Sequence, residues 1–212
     1  LNRHDKPVYS PTYGVSYVYA YDPEGNLLEM EKLDGEQLLK HAGYLDNWDK
    51  DNKPIWMSQV SLFTPDRDRL MQFYHNIFQT NPHRIVEVPV GVFGDNLFDI
   101  DNAKVQIGWF RLNRQSKVME ILQFIDPPTP QSTIEREPTS LGYSFSLEVS
   151  DIEAEYQRLQ ALGVEFFSPP VKLGRFIQAY ARDIDGNIFS LRQPIDLDGP
   201  FSVKAYDKRG GL

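Results

Sequence analysis

The sequence contains no cysteine, which excludes disulfides and thiolate metal sites and is compatible with a reducing compartment. It has no apolar run near the roughly 20 residues needed to cross a bilayer, and its opening residues do not resemble a signal peptide. Positive charge is in deficit: 22 Lys and Arg stand against 30 Asp and Glu, a formal net charge of −8. Nucleic acids and anionic membranes are held by clustered Lys and Arg, so neither is an expected partner. Together these absences make a cytoplasmic protein the expectation. What is present is ordinary for a globular chain, 41% hydrophobic and 25% charged over 212 residues. That is enough for one large domain or two small ones.

A turn sequence occurs twice. Ala181 to Gln193 reads as a strand end, an Asp-Gly turn and a second strand, and Ala20 to Lys32 reads the same way. Asp22 matches Asp183, Gly25 matches Gly186, Asn26 matches Asn187, and Glu29 falls on Ser190. One copy carries a carboxylate where the other carries a hydroxyl.

Taken in order, Pro7 to Lys32 reads as β throughout, with Tyr- and Val-rich strands. Residues 34–54 form an acidic linker, with a short helix over Gly35 to His41 and Tyr44 and Trp48 as anchors. A β-α-β-β-β unit then spans residues 55–126. Ile55 to Phe63 is its first strand, and Thr64, Pro65 and Asp66 open its helix. Leu70, Phe73, Tyr74, Ile77 and Phe78 recur at helical spacing on one face. Strands follow at Arg84 to Val90, Lys104 to Leu112 and Val118 to Ile125. After a Pro-rich connection the order repeats over residues 141–195. Gly142 to Val149 is a strand, Ser150 to Glu153 has the form of a capping box, and Gly163 stops a helix lined by Ile152, Tyr156, Leu159 and Leu162. The last strands are Val164 to Phe167, Arg175 to Arg182 and Asn187 to Gln193. Residues 196–212 read as a mobile polar tail. The expected fold class is α+β, with paired β-α-β-β-β units forming a curved mixed sheet around a cleft and helices on the outer face.

Several stretches resemble the vicinal oxygen chelate superfamily, which includes glyoxalase I, extradiol dioxygenases and the bleomycin and fosfomycin resistance proteins. They are Gln59 to Asp66, Phe73-Tyr74, Val118 to Gln123, Tyr143 to Glu153, Ala161 to Val164 and Arg182 to Asn187. The resemblance covers Ile55 to Pro194, and residues 1–33 look like the last strands of a further, incomplete copy. They read as part of a longer protein in preference to a sheet completed by another subunit. In this family a divalent metal ion takes one ligand from the first strand and one from the last strand of each unit. Position by position, that implies Gln59 and Glu120 in the first unit, and Glu29 in the incomplete copy. Strand alternation agrees, because Met57, Gln59 and Ser61 share a face opposite Val60 and Leu62, and Glu120 opposes Met119 and Ile121. In the second unit the corresponding positions are Ser144 and Ser190. Hydroxyls are poor ligands for a divalent ion, so a complete metal site within residues 55–194 is not expected.

Each of these residues also has a plainer reading. For Gln59 and Glu120 a role as cleft-lining hydrogen-bond partners is favoured over metal ligation, and Glu29 stands evenly between a ligand and a strand-surface charge. Glu148 and Arg192, on the faces of Ser144 and Ser190, either bind a polar substrate group or pair with each other. Met57 and Phe63, with Trp109 or Phe110, supply an apolar lining. His4, His41, His75 and His83 show no ligand spacing. The favoured function is a small-molecule-binding protein with a degenerate metal site and a ligand cleft of Met57, Ser61, Phe63, Ser144, Glu148, Ser190 and Arg192. Against it stands a divalent-metal-dependent isomerase, lyase or dioxygenase in which Glu120 moves protons. A third reading makes the chain a structural half supporting a catalytic partner. The expected partners are a small molecule and a second copy of the chain or an upstream copy of the fold.

Overall fold

The computed structural model describes residues 6–33, 57–112, 118–131, 135–140 and 142–203. The expected linker helix, its anchors Tyr44 and Trp48, the strand start at Ile55 and the end of the tail lie outside these. Twelve strands and three helices fall within them. The elements are β1 (Val8–Ser10), β2 (Val15–Tyr21), β3 (Leu27–Leu33), β4 (Gln59–Phe63), α1 (Arg67–Phe78), β5 (Arg84–Val88) and α2 (Val92–Phe98). They continue with β6 (Lys104–Phe110), β7 (Val118–Asp126), β8 (Phe145–Glu148), α3 (Ile152–Ala161), β9 (Glu165–Phe166), β10 (Val171–Leu173), β11 (Phe176–Arg182) and β12 (Ile188–Pro194). No described helix is long and apolar enough to cross a membrane.

The architecture is mixed α+β, with one unit running β4-α1-β5-α2-β6-β7 and a second β8-α3-β9-β10-β11-β12, so that α2 and β10 are added to the expected β-α-β-β-β order, and the strands form three hydrogen-bonded sheets. The order is β1-β2-β3 at the N-terminus, β4-β7-β6-β5 in the first unit and β10-β11-β12-β8 in the second, with β9 alongside β11. In each unit the first strand runs parallel to the last, placing Ser61 beside Glu120 and Ser146 beside Ser190. The remaining pairings are antiparallel.

Both long helices are capped by an aspartate. Asp66 accepts from the Arg69 amide at 3.0 Å, and Asp151 from the Ala154 amide at 3.0 Å. This corrects the expected caps, Thr64 and Ser150. The Thr64 hydroxyl is engaged in a local turn, accepting from the Asp66 amide at 3.1 Å. Asp151 supplies a full negative charge to the positive end of α3, and Glu153 accepts from Gln157 instead.

Two elements escape sequence reading. Helix α2 has a central glycine and no side-chain cap, so its local signal is weak. It forms because Phe93, Leu97 and Phe98 have an apolar sheet face to cover. Strand β10 has only three residues, all exposed.

The faces under α1 and α3 merge into one core. Leu62, Leu70, Tyr74, Phe110, Met119 and Ile121 from the first unit pack with Ile152, Leu159, Phe189 and Leu191 from the second. Each such aliphatic or aromatic side chain contributes about 2 kcal/mol by leaving water. Polar contacts pin the same junction. The Tyr74 hydroxyl donates to Asp183 Oδ2 at 2.8 Å, and Arg158 reaches the last carbonyls of α1 at Asn76 and Ile77. Arg69 pairs with Asp185.

The repeated turn has the same geometry in both copies. Asn26 donates its backbone and side-chain N–H groups to Asp22 at 2.8 Å each, and Asn187 does the same to Asp183 at 2.8 and 2.9 Å. Gly25 and Gly186 both have φ 83°, a left-handed conformation that glycine adopts without strain.

Residues Asp196 to Val203 depart from the expected mobile tail. Ser202 is fully buried, and its hydroxyl and the Val203 amide both donate to Glu148 Oε1, at 3.0 and 2.7 Å. The Phe201 ring packs edge-on to Phe176.

Candidate functional site

On the side of the first-unit sheet away from α1, cross-strand neighbours form a continuous row. Arg84 on β5 pairs with Trp109 on β6, Trp109 with Glu120 on β7, and Glu120 with Ser61 on β4. Alternation puts Glu120 here because Met119 and Ile121 belong to the core under the helix. It also separates the two aromatic candidates. Trp109 lies on this side, with Val105, Ile107, Val118 and Leu122, whereas Phe110 lies under α1.

The N-terminal sheet faces this row. Tyr17 and Tyr19 on β2 meet Phe93 and Phe98 of α2 edge-on and tilted, at 6.3 and 6.2 Å between ring centroids. This contact brings β3 over β4. The Gln59 side-chain amide then donates to Glu29 Oε2 at 3.3 Å and to Glu120 Oε2 at 2.9 Å. Each carboxylate has one further donor: Tyr19 hydroxyl to Glu29 Oε1 at 2.7 Å, and Ser61 hydroxyl to Glu120 Oε2. Nearby, Ser58 donates to Glu31 at 3.4 Å.

The structure therefore brings together Glu29, Gln59, Ser61 and Glu120. Burial, and then the Glu29 charge, push the Glu120 carboxyl up to about 8, against the pull of the Ser61 hydrogen bond. Burial pushes Glu29 up to about 7, with the Tyr19 hydrogen bond opposing and the Glu31 charge adding to the rise. Tyr19 is itself raised by burial and by Glu29. Two carboxylates in this setting hold protons or take up a cation.

The donor set fits a hard divalent ion: two carboxylates, and an amide that presents its oxygen after a half-turn of the group. Among the described residues no cluster of three His, Cys, Asp or Glu side chains has metal-site spacing. The third donor here is the Gln59 amide.

The other expected cleft residues divide between two places. Met57 is exposed just ahead of β4, and Phe63 stacks on Phe124 at 6.0 Å. Ser144 is exposed ahead of β8, and it is Ser146 that meets Ser190, hydroxyl to hydroxyl at 2.8 Å. Gln178 also donates to Ser190 at 2.9 Å. Arg192 and Glu148 pair at 3.1 Å, and both are bound by the segment Phe201 to Val203. Ser146, Glu148, Gln178, Ser190 and Arg192 lie on the second-unit sheet, on strands other than those of the Glu29–Gln59–Glu120 cluster. His75 closes the end of α1 on the Thr80 carbonyl.

Sequence reading missed Tyr19, Ser146, Gln178 and Arg84. Ser146 was accessible by alternation from Ser144. The others depend on which strand lands opposite which.

Residues 58–180, more than half of the chain, match the family model described as the Glyoxalase/Bleomycin resistance protein/Dioxygenase superfamily. Among solved structures, a glyoxalase family protein from Bacillus cereus is 22% identical, with a TM-score of 0.61 over 69% of this chain and 99% of that one. A fosfomycin resistance protein from Listeria monocytogenes is 17% identical, with a TM-score of 0.43 over 72% and 99%. The trypanothione-dependent glyoxalase I of Leishmania major is 15% identical, with a TM-score of 0.47 over 73% and 91%. No curated protein matches the chain. The first of these structures shares the fold, and the family match runs from β4 through the first unit into β11 of the second. The chain belongs to the Glyoxalase/Bleomycin resistance protein/Dioxygenase superfamily, the vicinal oxygen chelate group of folds.

Proposed function

We propose that Glu29, Gln59 and Glu120 hold a divalent metal ion, and that the chain works as a metal-dependent enzyme on a substrate with vicinal oxygens. One observation carries this reading: a single amide nitrogen lies within hydrogen-bond reach of two carboxylates from different sheets. Such a place is costly to leave without positive charge. A bound ion would supply Lewis acidity toward the substrate oxygens. The residues have separate tasks. Tyr19 and Ser61 orient the two carboxylates. Both bonds to Glu120 fall on Oε2, leaving Oε1 to accept and return a proton. Trp109, in the row beside Glu120, and Phe63, two residues along β4 from Ser61, supply apolar surface at the site.

The second unit favours a different use of the same fold. Ser146, Ser190, Gln178 and the closed Arg192–Glu148 pair make a polar surface without ligands for a metal. It is the degenerate half, a supporting or small-molecule-binding unit.

The test is elemental analysis of protein purified without chelator. About one divalent ion per chain is expected, lost in Glu120→Ala. Protein that carries no ion and takes up none from millimolar MnCl2 contradicts the proposal.

A further inference from the structure

Arg84 sits at the far end of the row that holds Glu120. Its guanidinium carbon lies 3.7 Å from the centroid of the Trp109 ring, and Trp109 is the direct cross-strand neighbour of Glu120. Two strand spacings separate the Arg84 and Glu120 backbones, about 10 Å, and the stacked side chain lies over the residue between them. Stacking holds one face of the guanidinium and leaves its in-plane N–H fork to bind. Arg84 is exposed, and among the described residues no carboxylate lies within ion-pair distance of it. The titratable groups that feel it are Glu31, Glu120, Tyr17 and the adjacent His83, and neither carboxylate is bound to it.

We infer that Arg84 selects the substrate class: the site takes an oxyanion, a molecule whose oxygens meet the Glu29–Gln59–Glu120 cluster while a carboxylate or phosphate on its other end meets the Arg84 fork. This rests on the metal-site reading above. It adds a requirement that reading does not contain, a negative charge remote from the chelating oxygens. The bland alternative is that Arg84 only offsets the surrounding carboxylates. That role affects cation binding and treats every chelating ligand alike.

The probes are Mn2+ and two pairs of hydroxy acids, each pair sharing its chelating end. 2-Hydroxyglutarate is compared with 2-hydroxypentanoate for a remote carboxylate, and 3-phosphoglycerate with glycerate for a remote phosphate. Mn2+ affinity is measured first, and then acid binding to the Mn2+-loaded full chain by calorimetry. In the unaltered protein at least one charged probe binds about tenfold or more tighter than its neutral-ended partner, the range of a charge-assisted fork contact. Whichever pair shows the preference identifies the anion. In Arg84→Gln that preference disappears, while 2-hydroxypentanoate and glycerate bind as before. Arg84→Lys, which keeps the charge and loses the fork, retains only part of it. Equal binding within both pairs, or a preference that survives Arg84→Gln, overturns the inference and leaves the metal site standing. Failure of Mn2+ to bind overturns the metal-site reading and this inference with it.

Discussion

Glu29 and Glu120 stand on different sheets and share one hydrogen-bond donor, the Gln59 side-chain amide. Neither carboxylate reaches an ion pair among the described residues. Their juxtaposition exists only because the N-terminal sheet docks, through Tyr17 and Tyr19, on the α2 side of the first unit. The chemistry of the site is therefore coupled to that docking.

Stability without metal is expected to fall as pH rises. The folded values of Glu120, about 8, and Glu29, about 7, lie above the ordinary 4.5, so the fold favours the protonated forms. Their contribution is fully present below about pH 4.5 and is lost as pH climbs through 7 to 8. The loss is on the order of a few kcal/mol for the pair. Denaturant midpoints in the presence of chelator, taken between pH 6 and pH 9, measure it. Glu120→Gln flattens the slope, and Mn2+ restores stability at the alkaline end. An alkaline increase in stability without metal contradicts the burial argument.

Tyr74→Phe removes one donor from Asp183, a buried carboxylate that keeps its bonds from Asn187 and Asp185. The expected cost is about 1–2 kcal/mol in equilibrium unfolding. Asp183→Ala strips the whole turn of its acceptor and costs more. Both act on the junction between units and leave Mn2+ binding at Glu29–Gln59–Glu120 unchanged in the folded protein.

The two turn glycines separate global from local stability. Gly25→Ala and Gly186→Ala meet no steric obstacle, so each costs about 1 kcal/mol through its left-handed backbone alone. Gly186 belongs to the sheet that shares the common core, and its substitution lowers global stability. Gly25 belongs to the N-terminal hairpin that carries Glu29. Hydrogen exchange is expected to rise in β2 and β3 of Gly25→Ala, with weaker Mn2+ binding and little change in α1.

Much of this was legible in the residues themselves. Alternation placed Gln59, Ser61 and Glu120 on one face, and the repeated Asp-x-x-Gly-Asn turn singled out Glu29 as the counterpart of Ser190. The meeting of Glu29 with Gln59 was not legible. It depends on aromatic packing against α2, a helix whose Val92–Phe98 sequence has no cap and a glycine at its centre. The caps went to Asp66 and Asp151 instead of Thr64 and Ser150, and the Thr64 hydroxyl is taken up by the Asp66 amide. The fate of Asp196 to Val203 was hidden for a similar reason. Its polar composition reads as solvated until Glu148 and Arg192 are seen to bind Ser202, Val203 and Phe201.

The most direct test is the Mn2+ affinity of Glu29→Ala at pH 8, measured beside the unaltered chain. If the N-terminal sheet completes the site, affinity falls by about tenfold or more, with the unfolding transition otherwise preserved. Unchanged affinity would show that Gln59 and Glu120 act without Glu29, and that the two sheets do not share a metal centre.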